Sequence, residues 1–171
     1  LKFTGPTEVK LAAEQSLALQ GGYIQPFPES AAGVLVGSRE AKRLLGYGDI
    51  VRVQLAPTTD AKVGDRFTVF RPTAHVYHPV TKDYMGRHVV ILGIIEIYQE
   101  SDGGTSLAKI VQAFDSVTPG DLLKPFAIPP PIPAQQGNSG QVAGLIDDVK
   151  ASRGITAQGE IVYIDRGEAD G

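Results

Sequence analysis

Gly48-Asp49-Ile50-Val51-Arg52-Val53 recurs 111 positions later as Gly159-Glu160-Ile161-Val162-Tyr163-Ile164. Under the same shift, and without a gap, Ala32-Gly33-Val34-Leu35 lies over Ala143-Gly144-Leu145-Ile146. Self-similarity at a fixed spacing marks a duplicated structural unit. The first copy continues into Lys62-Val63-Gly64-Asp65-Arg66-Phe67-Thr68-Val69-Phe70, whereas the second reaches Gly171 before that segment begins. A unit cut in mid-repeat leads us to expect a longer protein.

The segments around the repeat read as strands. Tyr23-Ile24-Gln25 and Gly33–Gly37 are short apolar runs bounded by turn residues. Ile50–Leu55, Phe67–Phe70, His88–Tyr98 and Ser106–Phe114 follow, the last alternating most clearly. Glu100–Thr105 carries Gly103-Gly104 and predicts a hairpin connection. Glu8–Gln20 places Val9, Ala12, Ala13 and Leu17 near helical spacing, and Gly21-Gly22 supplies the stop.

A Gly–acid–apolar device appears four times, at Gly48-Asp49, Gly64-Asp65, Gly120-Asp121 and Gly159-Glu160. Glycine takes a backbone angle that other residues avoid, and the carboxylate can accept a turn N–H before the strand starts. These acids therefore read as turn chemistry rather than catalysis.

Bulk composition excludes several functions. The chain has 171 residues and a net charge of -3, its Lys and Arg are scattered, and no aromatics interleave with them. Nucleic acid is therefore not an expected partner. The absence of Cys removes disulfides, thiolate nucleophiles and Cys-based zinc sites together. No apolar run approaches the ~18 residues of a membrane-spanning helix. Twenty Gly and twelve Pro favour many short strands and turns over long helices.

No catalytic, cofactor-binding or metal-binding residue is expected. His75 and His78, with His88 or Asp83, offer the nearest metal set, but residues three apart on a strand point to opposite faces. No Gly-x-Ser-x-Gly elbow is present, and Asn138-Ser139-Gly140 lies in a linker. Gly46-Tyr47-Gly48-Asp49 lacks the Walker lysine and the G-x-G-x-x-G spacing. Glu96 and Glu100 form an acid pair with nothing to set them across a sugar.

One ordered set of motifs is more distinctive. It comprises Gly37-Ser38-Arg39-Glu40, Gly48–Val51, Gly64–Arg71, His78-Pro79-Val80-Thr81-Lys82-Asp83-Tyr84-Met85-Gly86, Val90–Gly93 and Pro119–Pro125. This set, over residues 22–126 and again over 141–171, resembles the C-terminal region of bacterial LysM-domain envelope proteins. There is a weaker similarity, of architecture, to the C-terminal part of flagellar assembly protein T. In the LysM family the residue after the Pro-x-Thr turn is usually Gly; here it is Lys82. The resemblance implies a periplasmic or cell-envelope protein of a Gram-negative bacterium. Its separate LysM module would hold peptidoglycan while the β modules make other contacts.

The expected architecture is mainly β: a small barrel or bent antiparallel sheet with a short N-terminal helix and a partial second copy. Residues 1–21 form an N-terminal segment, 22–126 a β module, 127–140 a Pro/Gly-rich linker, and 141–171 a truncated second β module. Four prolines between Ala127 and Ala134 make the linker extended. The expected role is a non-catalytic structural and interaction module without cofactors. Its partners would be envelope proteins or a peptidoglycan-associated assembly, and residues 141–171 are a possible homo-oligomer contact. The alternative is a subunit of an envelope ring, filament or sheath; a cell-wall hydrolase ranks third.

Overall fold

The computed structural model describes residues 13–40, 42, 44–100, 104–130, 144–149, 158 and 161–165. One helix, α1 (Ala13–Gly21), precedes seven strands: β1 (Tyr23–Gln25), β2 (Gly33–Ser38), β3 (Ile50–Leu55), β4 (Arg66–Tyr77), β5 (Tyr84–Gln99), β6 (Thr105–Ala113) and β7 (Leu122–Pro125). They form one antiparallel sheet in the order β1-β5-β4-β7-β2-β3-β6, and β5 also pairs with β6. That extra pairing curls the sheet into a partly closed ring, as the mainly β reading expected. Val51, Val53, Leu35, Val69, Ile95, Ile110 and Leu123 fill its interior at 0% exposure. Their outward neighbours Arg52 and Gln54 stay in water.

The aliphatic run of β5 does not alternate because both its faces are covered. Ile95 and Ile97 look into the ring, while Ile91 and Ile94 join Val111 and Leu19 in a second cluster under α1. Register shifts between Val69 and Phe70 on β4 and between Ile94 and Ile95 on β5 switch the faces locally. The helix thus covers an outer patch of β5 and β6. Its expected first residues, from Glu8 to Ala12, lie outside the described residues, as do linker positions 131–140.

Three of the four Gly–acid devices are described, and all three are built alike. Gly48, Gly64 and Gly120 have φ of 87°, 96° and 96°. Asp49, Asp65 and Asp121 donate their N–H to the carbonyls of Gly46, Lys62 and Thr118, closing turns with glycine in the left-handed position. The Oδ2 of each carboxylate then accepts the N–H of that same first residue, at 3.0, 2.8 and 2.7 Å. Each turn also grips a neighbouring strand. The Gly N–H donates to the carbonyl of Ile110, Ile97 or Leu35, and that residue's N–H returns to the Asp carbonyl.

Asp121 carries an additional bond. Its Oδ1 meets Arg71 Nε at 2.6 Å and its Oδ2 meets Arg71 Nη2 at 2.8 Å, with the carboxylate 3% exposed. The Asp121 carboxylate holds the Arg71 guanidinium above its ordinary pKa. Removing a buried, bidentate carboxylate strands its partner. We therefore expect Asp121→Ala to cost about 3 kcal/mol, against about 1 kcal/mol for the exposed turn acid in Asp65→Ala. Urea denaturation of the two variants checks this order.

The β4–β5 turn contains the only described non-glycine residue at positive φ, Lys82 at 63°. His78 fixes this turn: its carbonyl accepts the Lys82 N–H, and its Nδ1 accepts from Val80 and Thr81. A left-handed conformation costs an L-residue about 1–2 kcal/mol, part of which glycine's greater unfolded freedom gives back. Lys82→Gly should therefore raise stability by about 0.5 kcal/mol and the thermal midpoint by about 1–2 °C. Differential scanning calorimetry reads this directly.

A second, two-stranded sheet pairs β8 (Ile146–Val149) with β9 (Val162–Ile164). Its register is Ile146 opposite Ile164, Asp148 opposite Tyr163 and Val149 opposite Val162, with Asp147 skipped. In the large sheet, β2 and β3 place Leu35 opposite Val53, Gly37 opposite Arg52 and Ser38 opposite Val51, with Val36 skipped. Every one of these pairs maps onto the other under the shift of 111 positions.

Candidate functional site

The most specific polar constellation joins the small hairpin to the large sheet. Tyr163 stands at the position matched to Arg52, which is exposed on β3. On β9 this side chain reaches the ring instead. Its hydroxyl donates to the Gly21 carbonyl at the end of α1. That uses its only proton, so His88 Nε2, 2.6 Å away, is the donor to the phenol oxygen. The two rings meet edge to face with centroids 4.9 Å apart. His88 is 1% exposed, on the stretch of β5 that pairs with β1. Gly22, at φ 69°, lets the chain turn beneath this joint: a Cβ there would clash with the Val89 carbonyl oxygen and lie 3.4 Å from the Tyr163 hydroxyl.

A second contact lies nearby. His78 Nδ1 is occupied by the β4–β5 turn, so Nε2 carries the proton that faces Asp165 Oδ2 at 3.6 Å. The other oxygen, Oδ1, accepts from the Leu145 N–H at 2.8 Å and ties β9 back to the start of β8. Asp147, the skipped residue, has both carboxylate oxygens buried with no hydrogen-bond partner among the described residues. Burial pushes its pKa above the ordinary carboxylate value, and Asp165 adds to the rise while His78 opposes it.

The three histidines therefore occupy separate environments. His75 is exposed and leans on Tyr84, His78 shapes a turn and faces Asp165, and His88 is buried on Tyr163. Among the described residues, no group of three or more His, Asp or Glu is placed to hold a metal ion. Glu96 pairs with Arg66 at 2.9 Å, and Glu100 accepts the Val63 N–H at 3.2 Å, so both serve strand ends. Asn138-Ser139-Gly140 lies outside the described residues.

Tyr163 is the residue that sequence reasoning missed. Its signal was an aromatic at a strand position where the matched hairpin carries a solvated Arg52. Comparison of the chain with protein-family models, curated proteins and solved structures finds no match.

Loss of the phenol oxygen leaves a buried imidazole N–H and a carbonyl without their shared partner. Tyr163→Phe should therefore speed amide exchange at Ile146–Val149 and Val162–Ile164 by about tenfold or more, leaving β3 and β6 unchanged. Hydrogen–deuterium exchange with mass spectrometry makes this measurement.

Proposed function

We propose that this chain is a non-catalytic structural and interaction module of a cell-envelope protein of the LysM-associated kind, working in the periplasm of a Gram-negative bacterium. The observation that carries the proposal is the shared register of β2–β3 and β8–β9, including the one skipped residue in each. Two segments matched in sequence and paired in the same way support a unit used more than once. The Tyr163–His88–Gly21 joint supports a fixed orientation between successive units, a property useful to scaffolds. The envelope assignment draws its support from the ordered motifs of residues 22–126, including the Gly–Asp turns that shape the ring.

In this reading the modules set spacing and contact, and wall binding belongs to a LysM module elsewhere. Purified peptidoglycan should leave the chain in the supernatant after centrifugation. Pelleting of most of the chain with the wall, reversible by soluble wall fragments, overturns the division of labour.

A further inference from the structure

Asp147 stands where a carboxylate is poorly served. It is the skipped residue of β8, matched to Val36 in β2, and both its oxygens are buried without a hydrogen-bond partner among the described residues. β8 lies against β4, so the carboxyl is enclosed at the joint that Tyr163 and Asp165 make with the large sheet. An ionised carboxylate there gives up its hydration and gains no donor in exchange. Asp165, at the end of β9, adds a like charge, and His78, in the β4–β5 turn, opposes it. A protonated Asp147 meets neither cost.

We infer that Asp147 is a proton-operated latch on this joint: the hairpin is held most firmly while the carboxyl is protonated and opens more readily once it ionises. Burial sets the direction, because docking raises the Asp147 pKa above its ordinary value. The hairpin's hold is therefore at full strength below the ordinary carboxylate range, about pH 4, and weakens as pH rises through the raised value. Above that value the penalty is constant. Two histidines also face the joint. His88 is 1% exposed, and a second proton would place a net charge in that buried site, so its titration loosens the joint toward acid. For His78 a second proton strengthens the attraction to Asp165 but removes the Nδ1 lone pair that accepts from Val80 and Thr81. The other charged or titratable groups of this region are engaged elsewhere or exposed. His75 and Tyr77 lean on Tyr84, Lys82 Nζ donates to the Pro79 carbonyl, Arg87 donates to the Thr73 carbonyl, and Asp83 is exposed.

The test follows amide exchange by NMR on the full isotope-labelled chain between about pH 5 and pH 8. Dividing each rate by that of an unstructured peptide at the same pH removes the pH dependence of the exchange chemistry itself. Protection at Ile146–Val149 and Val162–Ile164 should fall by about threefold or more as pH rises, while β3 and β6 stay constant. The fall should share its midpoint with the Asp147 carboxyl-carbon shift. Asp147→Asn keeps the shape of the protonated acid, and Asp147→Val introduces the residue of the matched position; each should leave hairpin protection flat across the range. The carboxyl titration of the unaltered chain keeps the test decisive if both variants lose the hairpin. Protection that is constant or rises with pH overturns the inference. So does a fall whose midpoint departs from the Asp147 titration, or one that persists in both variants and so belongs to the histidines. Any of these leaves the scaffold reading intact, since that reading stands or falls on the wall-pelleting result.

Discussion

The reciprocal grip of each Gly–Asp turn on a neighbouring strand is the constraint from which the ring follows. At Asp49, Asp65 and Asp121 the chain must change direction and enter the sheet beside a strand distant in sequence. A positive-φ glycine turns its N–H, and the following Asp turns its carbonyl, toward one residue of that strand. The carboxylate satisfies the turn's remaining N–H, so the rim leaves few backbone groups without partners. The residues gripped are Leu35, Ile97 and Ile110, all at or near zero exposure. Fixing their backbones fixes which way their side chains point. A slip of one residue would turn an entire aliphatic set into water.

The joint to the small hairpin depends on this framework at one remove. The ring orders β5, and its outer aliphatic patch then binds α1 through Leu19, Ile91, Ile94 and Val111. That packing sets Gly21 and Gly22 beside β5. Gly22 donates its N–H to the Leu19 carbonyl, and the Gly21 carbonyl is left to accept Tyr163. A buried histidine and a helix end converge on a single hydroxyl. Because one proton serves Gly21 and one oxygen serves His88, neither contact survives a large shift of the hairpin alone. The joint is consequently directional, unlike a purely apolar contact of similar size.

Much of the fold was legible in the sequence because its signals are local. Turn glycines, alternating Val and Ile, and the prolines after Phe126 act within a few residues. The Gly–Asp devices revealed the turns and even the carboxylate's role in them, but not the strand that each turn would grip. That information lies in pairings such as Leu35 with Asp121, set by closure of the ring. The unbroken aliphatic run of β5 announced a strand and concealed its two buried faces, since periodicity cannot distinguish one cover from two. The candidate site was less legible. His88 was visible as a titratable residue, yet its meaning depends on Tyr163, 75 positions away.

The differences between the matched hairpins follow the same physical division. Positions facing the interior of the first unit keep their aliphatic character in the second: Leu35 matches Ile146, Val51 matches Val162 and Val53 matches Ile164. Positions outside that interior are free to change: Val36 becomes Asp147 and Arg52 becomes Tyr163. A core tolerates few chemistries because each inward residue must fill a defined volume. An outward position is constrained only by what later rests on it. Arg52 meets solvent, while Tyr163 meets His88 and the end of a helix. In these two hairpins the positions that face the ring interior on β2 and β3 are matched by aliphatic residues on β8 and β9, whereas the outward positions differ in chemistry.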